Sequence, residues 1–362
     1  MPTTDTRMIS LFPPGPGAAR SSLWQRTSQG LALILGMVAL AACTPGENTE
    51  AGSSRASLPP APDTPVVVQV CGEDVQYHSI PERVVTHDAN ITELFLYLGL
   101  GDRLVGYSGI PHAKALAPEF RAQLSNIPNL SNRDMNLEAI IGAQADFVFG
   151  GWSYGFRAGG VTPKMLANYG IQSYVLTESC VRTTPRERVS VEDTFVDMRN
   201  LGRIFRIEAH AAALIARQRA ELERIDRILQ GVKTRPKVFL YDSGTDMPVT
   251  SGRFGMPHAM IQVAGGRNIF DDIPSNWPQG NWEDVVERNP DWIVVVDYGS
   301  SSPQAKIDFL LAKPELANVT AIRKQNFVVL EYAEATPGPR NVAGTRTLAQ
   351  AFHPDRIDEF LP

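Results

Sequence analysis

The chain has 362 residues, 43% of them hydrophobic, and a formal net charge of −5. A mildly acidic chain of this kind lacks the basic surface that nucleic acid requires, so nucleic acid is excluded as a partner. Its length exceeds what one typical hydrophobic core organises and points to more than one lobe.

The N-terminal region reads as an export signal. Arg20 and Arg26 precede an apolar run over residues 31–42, and Cys43 follows it. A run of roughly a dozen apolar residues is too short for a bilayer, which needs about 20, but fits a signal-peptide core. Leu40-Ala41-Ala42-Cys43 has the form of a bacterial lipobox. Residues 1–43 are therefore expected to be a lipoprotein signal peptide ending at a lipidated Cys43. Its acyl chains would hold the mature protein to the membrane on the periplasmic or extracytoplasmic side. The alternative is an ordinary secretory signal in which Cys43 is incidental. Residues 44–64, rich in Pro, Gly, Ser and charge, read as a disordered tether. Cys71 and Cys180 remain; in an oxidising compartment they invite a disulfide, against the alternative of two separate buried thiols.

From residue 65 onward short strands alternate with helices. Strands are expected at 83–86, 104–107, 146–149 and 173–176, and helices at 91–101, 113–124, 136–145 and 162–170. Gly99 closes the first helix and Thr162-Pro163 starts the last. The alternation stops from 191 to 230, where helices are expected over 191–205 and 208–230. It resumes with strands at 237–241, 292–296 and 327–330 and helices at 256–266, 281–288 and 340–352. The predicted fold is α/β: two doubly wound lobes with mostly parallel sheets, joined by a single long backbone helix, with a ligand cleft between them. The expected divisions are a first lobe at 65–190, a helical connector at 191–231 and a second lobe at 232–362. A helical connector bends less than paired strands, so small opening and closing motions are expected.

Loops after the strands carry the candidate site. The first lobe offers His87, Asn90, Tyr107, Trp152, Tyr154 and Glu178; the second offers Asp242, Ser251, Arg253, Trp277, Tyr298, Tyr332 and Arg340. Aromatic rings on such loops suit a flat or bulky, partly apolar ligand. Acids outnumber bases on these loops, which favours a neutral or cationic ligand over a strongly anionic one.

Residues 83–108, 136–151 and 247–295 together resemble the helical-backbone periplasmic substrate-binding proteins that serve ABC importers of ferric siderophores and cobalamin. The run from Thr250-Ser251-Gly252 through Gly265-Gly266-Arg267-Asn268 to Trp277-Pro278-Gln279 is most similar to the cobalamin-binding branch. The resemblance implies a protein without a cofactor of its own. Its ligand would be a corrinoid or ferric chelate, with Trp152 and Trp277 flanking it, and it would act as a monomer. It implies an ABC permease as partner, with the ATPase reached through that permease. Docking would use an acid on each lobe. Glu283 matches the second-lobe acid; residues 159–162 hold no carboxylate, so either another acid such as Glu93 serves or docking differs here. Three other readings stand beside this one. The first is direct capture of a metal ion, or of haem; for a metal ion the conceivable ligands are His87 with Asp88, His112 and His258. An enzyme lacks support, because no Gly-x-Ser-x-Gly, His-Glu-x-x-His or phosphate-binding loop is present. A ligand-sensing lipoprotein would share the binding features.

Overall fold

The structure is a computed structural model and describes residues 64–111, 116–298 and 301–360. The signal peptide, Cys43, the tether up to residue 63, and His112 lie outside the described residues. Among the described residues no helix is long and apolar enough to cross a membrane.

The described chain opens with an antiparallel hairpin, β1 (Val66–Val70) and β2 (Glu73–Tyr77), which was not among the expected elements. Its two-residue turn places Cys71 and Gly72 at φ 50° and 87°. Such turns normally use Asn-Gly or Asp-Gly, so a cysteine at the first position hides the signal. The Tyr77 hydroxyl donates to the Ser173 carbonyl at 2.8 Å, and Cys71 is disulfide-bonded to Cys180. Both links hold the hairpin to the first lobe.

The first sheet comprises β3 (Val84–His87), β4 (Leu104–Ser108), β5 (Asn129–Ser131), β6 (Phe147–Trp152), β7 (Gly155–Phe156) and β8 (Gln172–Val175). All pairings are parallel; the main order is β5-β4-β3-β6-β8, and β7 pairs with the end of β6. Every residue of β3 is buried, as befits a central strand of a parallel sheet covered on both faces. The connecting helices are α1 (Ala89–Tyr97), α2 (Pro118–Gln123), α3 (Leu137–Gly142) and α4 (Pro163–Ala167). Asn136 and Thr162 cap α3 and α4 by accepting the Ala139 and Met165 N–H groups.

Two helices leave this lobe: α5 (Glu192–Ile204) and α6 (Glu208–Leu229). With 22 residues, α6 is about 33 Å long at 1.5 Å per residue. The second sheet follows, with β9 (Lys237–Tyr241), β10 (Arg267–Asn268), β11 (Trp292–Asp297) and β12 (Phe327–Glu331) parallel in the order β10-β9-β11-β12. Its helices are α7 (Met256–Val263), α8 (Trp282–Arg288), α9 (Pro303–Ala312), α10 (Thr320–Lys324), α11 (Tyr332–Ala335) and α12 (Asn341–Phe352). The sequence patterns had not marked α9 to α11. α10 and α11 are one turn or little more, below the length at which helical periodicity registers.

Alternate residues of the second sheet serve different cores. Val238, Leu240, Val294 and Val296 join a cluster that includes Leu214, Ile215, Ile225 and Ile228 of α6 and the whole first-lobe core. Phe239, Tyr241, Ile293 and Val295 face a separate cluster with Phe270, Trp282 and Leu310. The lobes are thus joined by continuous apolar packing at the back.

The disulfide links residues 109 positions apart. Closing a loop of that length restricts the unfolded chain, so Cys71→Ser is expected to lower stability by about 2–4 kcal/mol. Denaturant unfolding with and without reductant checks this; reductant should destabilise the parent protein but not the variant.

Candidate functional site

The carboxyl ends of the two parallel sheets face one another, and the loops there meet along a seam. β3 delivers His87 and Asp88. Asp88 caps α1 with φ 78°, a left-handed conformation costly for a residue with a Cβ. Its Oδ1 accepts the Ala89 N–H at 2.7 Å, and its Oδ2 accepts the Tyr332 hydroxyl of the other lobe at 2.8 Å. β6 carries Gly150 and Gly151 to Trp152, Ser153 and Tyr154. The glycines here have a steric cause. A Cβ on Gly155, at φ 107°, would lie 2.5 Å from the Met135 methyl and 2.7 Å from the His87 ring.

Tyr154 is buried, and its hydroxyl accepts the Trp277 indole N–H at 2.8 Å across the seam. Trp152 is half-buried and packs edge-on to Phe156 at 6.2 Å, within its own lobe. The ring that meets Trp277 is therefore Tyr154's and not Trp152's. On the second lobe, the rings of Tyr298 and Tyr332 pack with centroids 4.8 Å apart and planes tilted by 33°. The Tyr298 hydroxyl donates to Asp242 Oδ1 at 2.6 Å, and Ser243 donates to Oδ2 at 2.8 Å. Buried Lys306 donates to the carbonyls of Asp242 and Val296 and lies 4.9 Å from the Tyr298 ring centroid. Tyr154, Trp277, Tyr298, Tyr332, Asp242 and Arg182 line a cavity of about 210 Å³.

Further bonds run along the seam. Arg182 donates to Asn276 Oδ1 at 2.9 Å, Asn90 Nδ2 to the Pro337 carbonyl at 2.7 Å, and Thr194 to Asn341 Oδ1 at 3.0 Å. Arg340 Nε donates to Glu93 Oε2 at 2.9 Å, while its Nη1 reaches Glu331 at 2.7 Å.

The expected residues therefore divide. Tyr154, Asp242, Trp277, Tyr298 and Tyr332 come together at the cavity. Asn90 and Arg340 lie on the seam; Glu178 is wholly buried close to Tyr154. His87 sits inside the first lobe, bonded through Nδ1 to Ser108 Oγ at 2.8 Å, and burial pushes its pKa down to about 4. Tyr107 packs half-buried on the first-lobe core. Ser251 is fully buried, with its hydroxyl donating to the Gly252 carbonyl at 3.2 Å. Arg253 is exposed and holds the Asp271 carbonyl at 3.0 Å. Glu93 must be corrected as a docking residue. It is fully buried, paired with Arg340 and accepting the Ala117 N–H, so no partner protein reaches it. Glu283, by contrast, is exposed in the first turn of α8, beside an outer groove with Asp246, Met247 and Glu287. His258 is buried in the second lobe near Asn268, and among the described residues no cluster of three His, Cys, Asp or Glu forms a metal site. Sequence reasoning missed Arg182 and Lys306 altogether; each stands outside any motif, and only the fold brings it to the cleft.

With this geometry in hand, comparison with known proteins identifies the class. A family model described as periplasmic binding protein matches residues 84–333. The chain belongs to the periplasmic binding protein family. An uncharacterized ABC transporter substrate-binding lipoprotein of Bacillus subtilis is 23% identical over 94% of this chain and 99% of its own. A vitamin B12-binding protein of Yersinia pestis is 28% identical over 63% of this chain and 72% of its own. The crystal structure of a periplasmic binding protein from Veillonella parvula superposes with a TM-score of 0.70 at 26% identity, covering 80% of this chain and 98% of the other. These relatives are named as binding proteins and not as enzymes.

Burial raises three carboxyl groups at or near the seam: Asp88 to about 6, Glu93 to about 7 despite Arg340, and Glu178 to about 8. Asp197, inside the first lobe, is raised to about 7 in the same way. An acid whose folded pKa exceeds its unfolded value binds more protons when folded, so stability falls as pH rises between the two. The buried histidines act in the opposite sense, but only below about pH 6.5. Thermal stability is therefore expected to decline from about pH 6.5 to about pH 8.5. Glu178→Gln should flatten that decline; a parent curve with no slope in this window would contradict the assignment.

Proposed function

We propose that this protein is the substrate-binding component of an ABC importer. On this reading a lipid on Cys43 holds it at the membrane, and it captures a metal chelate between lobes at 65–190 and 232–362 that flank a helical connector at 191–231. A corrinoid is the first candidate and a ferric siderophore the second. The observation that carries this reading is the aromatic cleft at the facing carboxyl ends of two parallel sheets, spanned by the Tyr154–Trp277 hydrogen bond. Such crevices are the usual ligand sites of α/β folds. Similarity to a vitamin B12-binding protein and to a substrate-binding lipoprotein supports it.

At about 210 Å³ the cavity is smaller than a typical small-molecule pocket of about 300–1,000 Å³. Capture therefore requires the seam to part, after which the rings that now touch become the walls. Asp242 on the lining, with Asp88 and Glu178 close by, faces a single lining arginine, Arg182. This balance favours a neutral or cationic chelate over a catecholate complex. A free metal ion is disfavoured, because His87 and His258 are buried in different lobes.

Tryptophan-fluorescence titration with cyanocobalamin, cobinamide, a ferric hydroxamate, a ferric catecholate and haem tests the proposal. Saturable quenching by the corrinoids is expected, and binding of none of the five would refute it. Trp277→Ala should weaken corrinoid binding by about 1–3 kcal/mol in titration calorimetry, the range for losing a buried aromatic anchor. Glu283→Ala should leave binding unchanged and lower uptake in cells. Loss of binding in that variant, with folding intact, would place Glu283 in the cleft and not at a permease.

A further inference from the structure

The seam is unevenly satisfied. Buried polar groups normally find hydrogen-bond partners, and each that does not calls for an explanation. Eight buried side-chain atoms among the described residues lack a partner. Five of them lie along the seam: Asn90 Oδ1, both Glu178 oxygens, Asn276 Nδ2 and Arg340 Nη2.

Two of these residues are chemically complementary. Glu178 stands in the first lobe just after β8, wholly buried, with neither oxygen bonded. Asn276 stands in the second lobe and is also buried. Its Oδ1 accepts from Arg182 Nη2 at 2.9 Å and from the Trp277 N–H at 3.0 Å. Those two donors fix the orientation of the amide and leave Nδ2 as its free end. The Nδ2 group faces Glu178 and favours its charged form, yet the two do not complete a hydrogen bond. Both adjoin the lining, through Tyr154 and Arg182 on one side and Trp277 on the other.

An unpaired acceptor on one lobe and an unpaired donor on the other specify what fits between them. The ligand group must donate along one edge and accept along the other. A carboxamide does both: its N–H meets Glu178, and its carbonyl receives Asn276 Nδ2. Once Glu178 is ionised, above about pH 8, a ligand whose only polar arms are carboxylates offers it no donor. Sites built to hydrogen-bond a polar group discriminate strongly against analogues that leave their own buried groups unpaired.

We propose that Glu178 and Asn276 are the polar jaws of the cleft and that they recognise a carboxamide on the captured chelate. This rests on the reading that the cleft takes a chelate. In the empty protein the jaws oppose each other imperfectly; in the loaded protein they meet through the amide.

The test is calorimetry at about pH 9, where Glu178 is ionised and only accepts, on the full-length protein with four probes. Cyanocobalamin and ferrioxamine B carry amides; heptamethyl cobyrinate keeps the corrin ring but has esters in their place; haem carries only carboxylates. The parent protein should bind an amide-bearing probe at least tenfold more tightly than the ester or haem. Glu178→Ala and Asn276→Asp should each erase most of that preference while leaving affinity for the ester nearly unchanged. Glu178→Gln, close in shape, guards against misfolding of the alanine variant and should retain part of the preference. If every probe weakens by the same factor, the pair is a latch between lobes and the carboxamide assignment is wrong. Unchanged preference in all three variants, or a parent protein that prefers haem or the ester, also overturns it. Failure of the parent to bind any probe would instead remove the chelate reading on which the assignment rests.

Discussion

The apolar stripe of α6 is the contact on which the rest of the molecule depends. Leu214, Ile215, Ile225 and Ile228 lie in one continuous cluster with the first-lobe core and with one face of the second sheet. Apolar packing of this kind is dense and resists deformation. It sets the spacing of the two lobes at the back, so the carboxyl ends of both sheets meet at the front.

The front is held by a different kind of interaction. Tyr154 to Trp277, Tyr332 to Asp88, Arg182 to Asn276 and Arg340 to Glu93 are individual polar contacts. A hydrogen bond that exchanges with water contributes about 0.5–1.5 kcal/mol, so each is separable. The unpaired atoms along the same seam regain partners from water once the lobes part. The lobes are thus held together by continuous apolar packing along α6 and by separable polar contacts across the seam.

The electrostatics of the mouth follow from burial. Asp88 and Asp242 are each held by a tyrosine hydroxyl from the adjacent pair Tyr332 and Tyr298. Burial raises the carboxyls of Asp88, Asp242 and Glu178. The acidic tally read from loop residues thus becomes a set of carboxyl groups that burial shifts toward their neutral form, with tyrosine hydroxyls bonded to Asp88 and Asp242. The one exposed acid given a role at a partner surface, Glu283, lies away from the seam, in the first turn of α8.

Much of the fold was legible in the sequence. Apolar runs such as 146–149 and 292–296, Thr162-Pro163 before a helix, and the long polar-apolar repeat of α6 carry local signals that need no tertiary context. The hairpin with its Cys-Gly turn and the short helices α10 and α11 carried none. Residue type also marked aromatic rings on strand-end loops, and the rings did gather there. What type and spacing do not encode is direction. Trp152 and Tyr154 lie two residues apart, yet Ser153 at φ 69° turns the chain between them, and only Tyr154 reaches the other lobe. Glu93 and Glu283 are both acids within helices, and only packing buries one and exposes the other. The sequence by itself determined the elements, their α/β order and the chemical character of the loops, because these follow from neighbours along the chain. Only the tertiary structure decided which side chains meet across the seam and which are left unpaired. Those contacts join residues more than ninety positions apart, such as Tyr154 with Trp277 and Asp88 with Tyr332, and no local pattern specifies them.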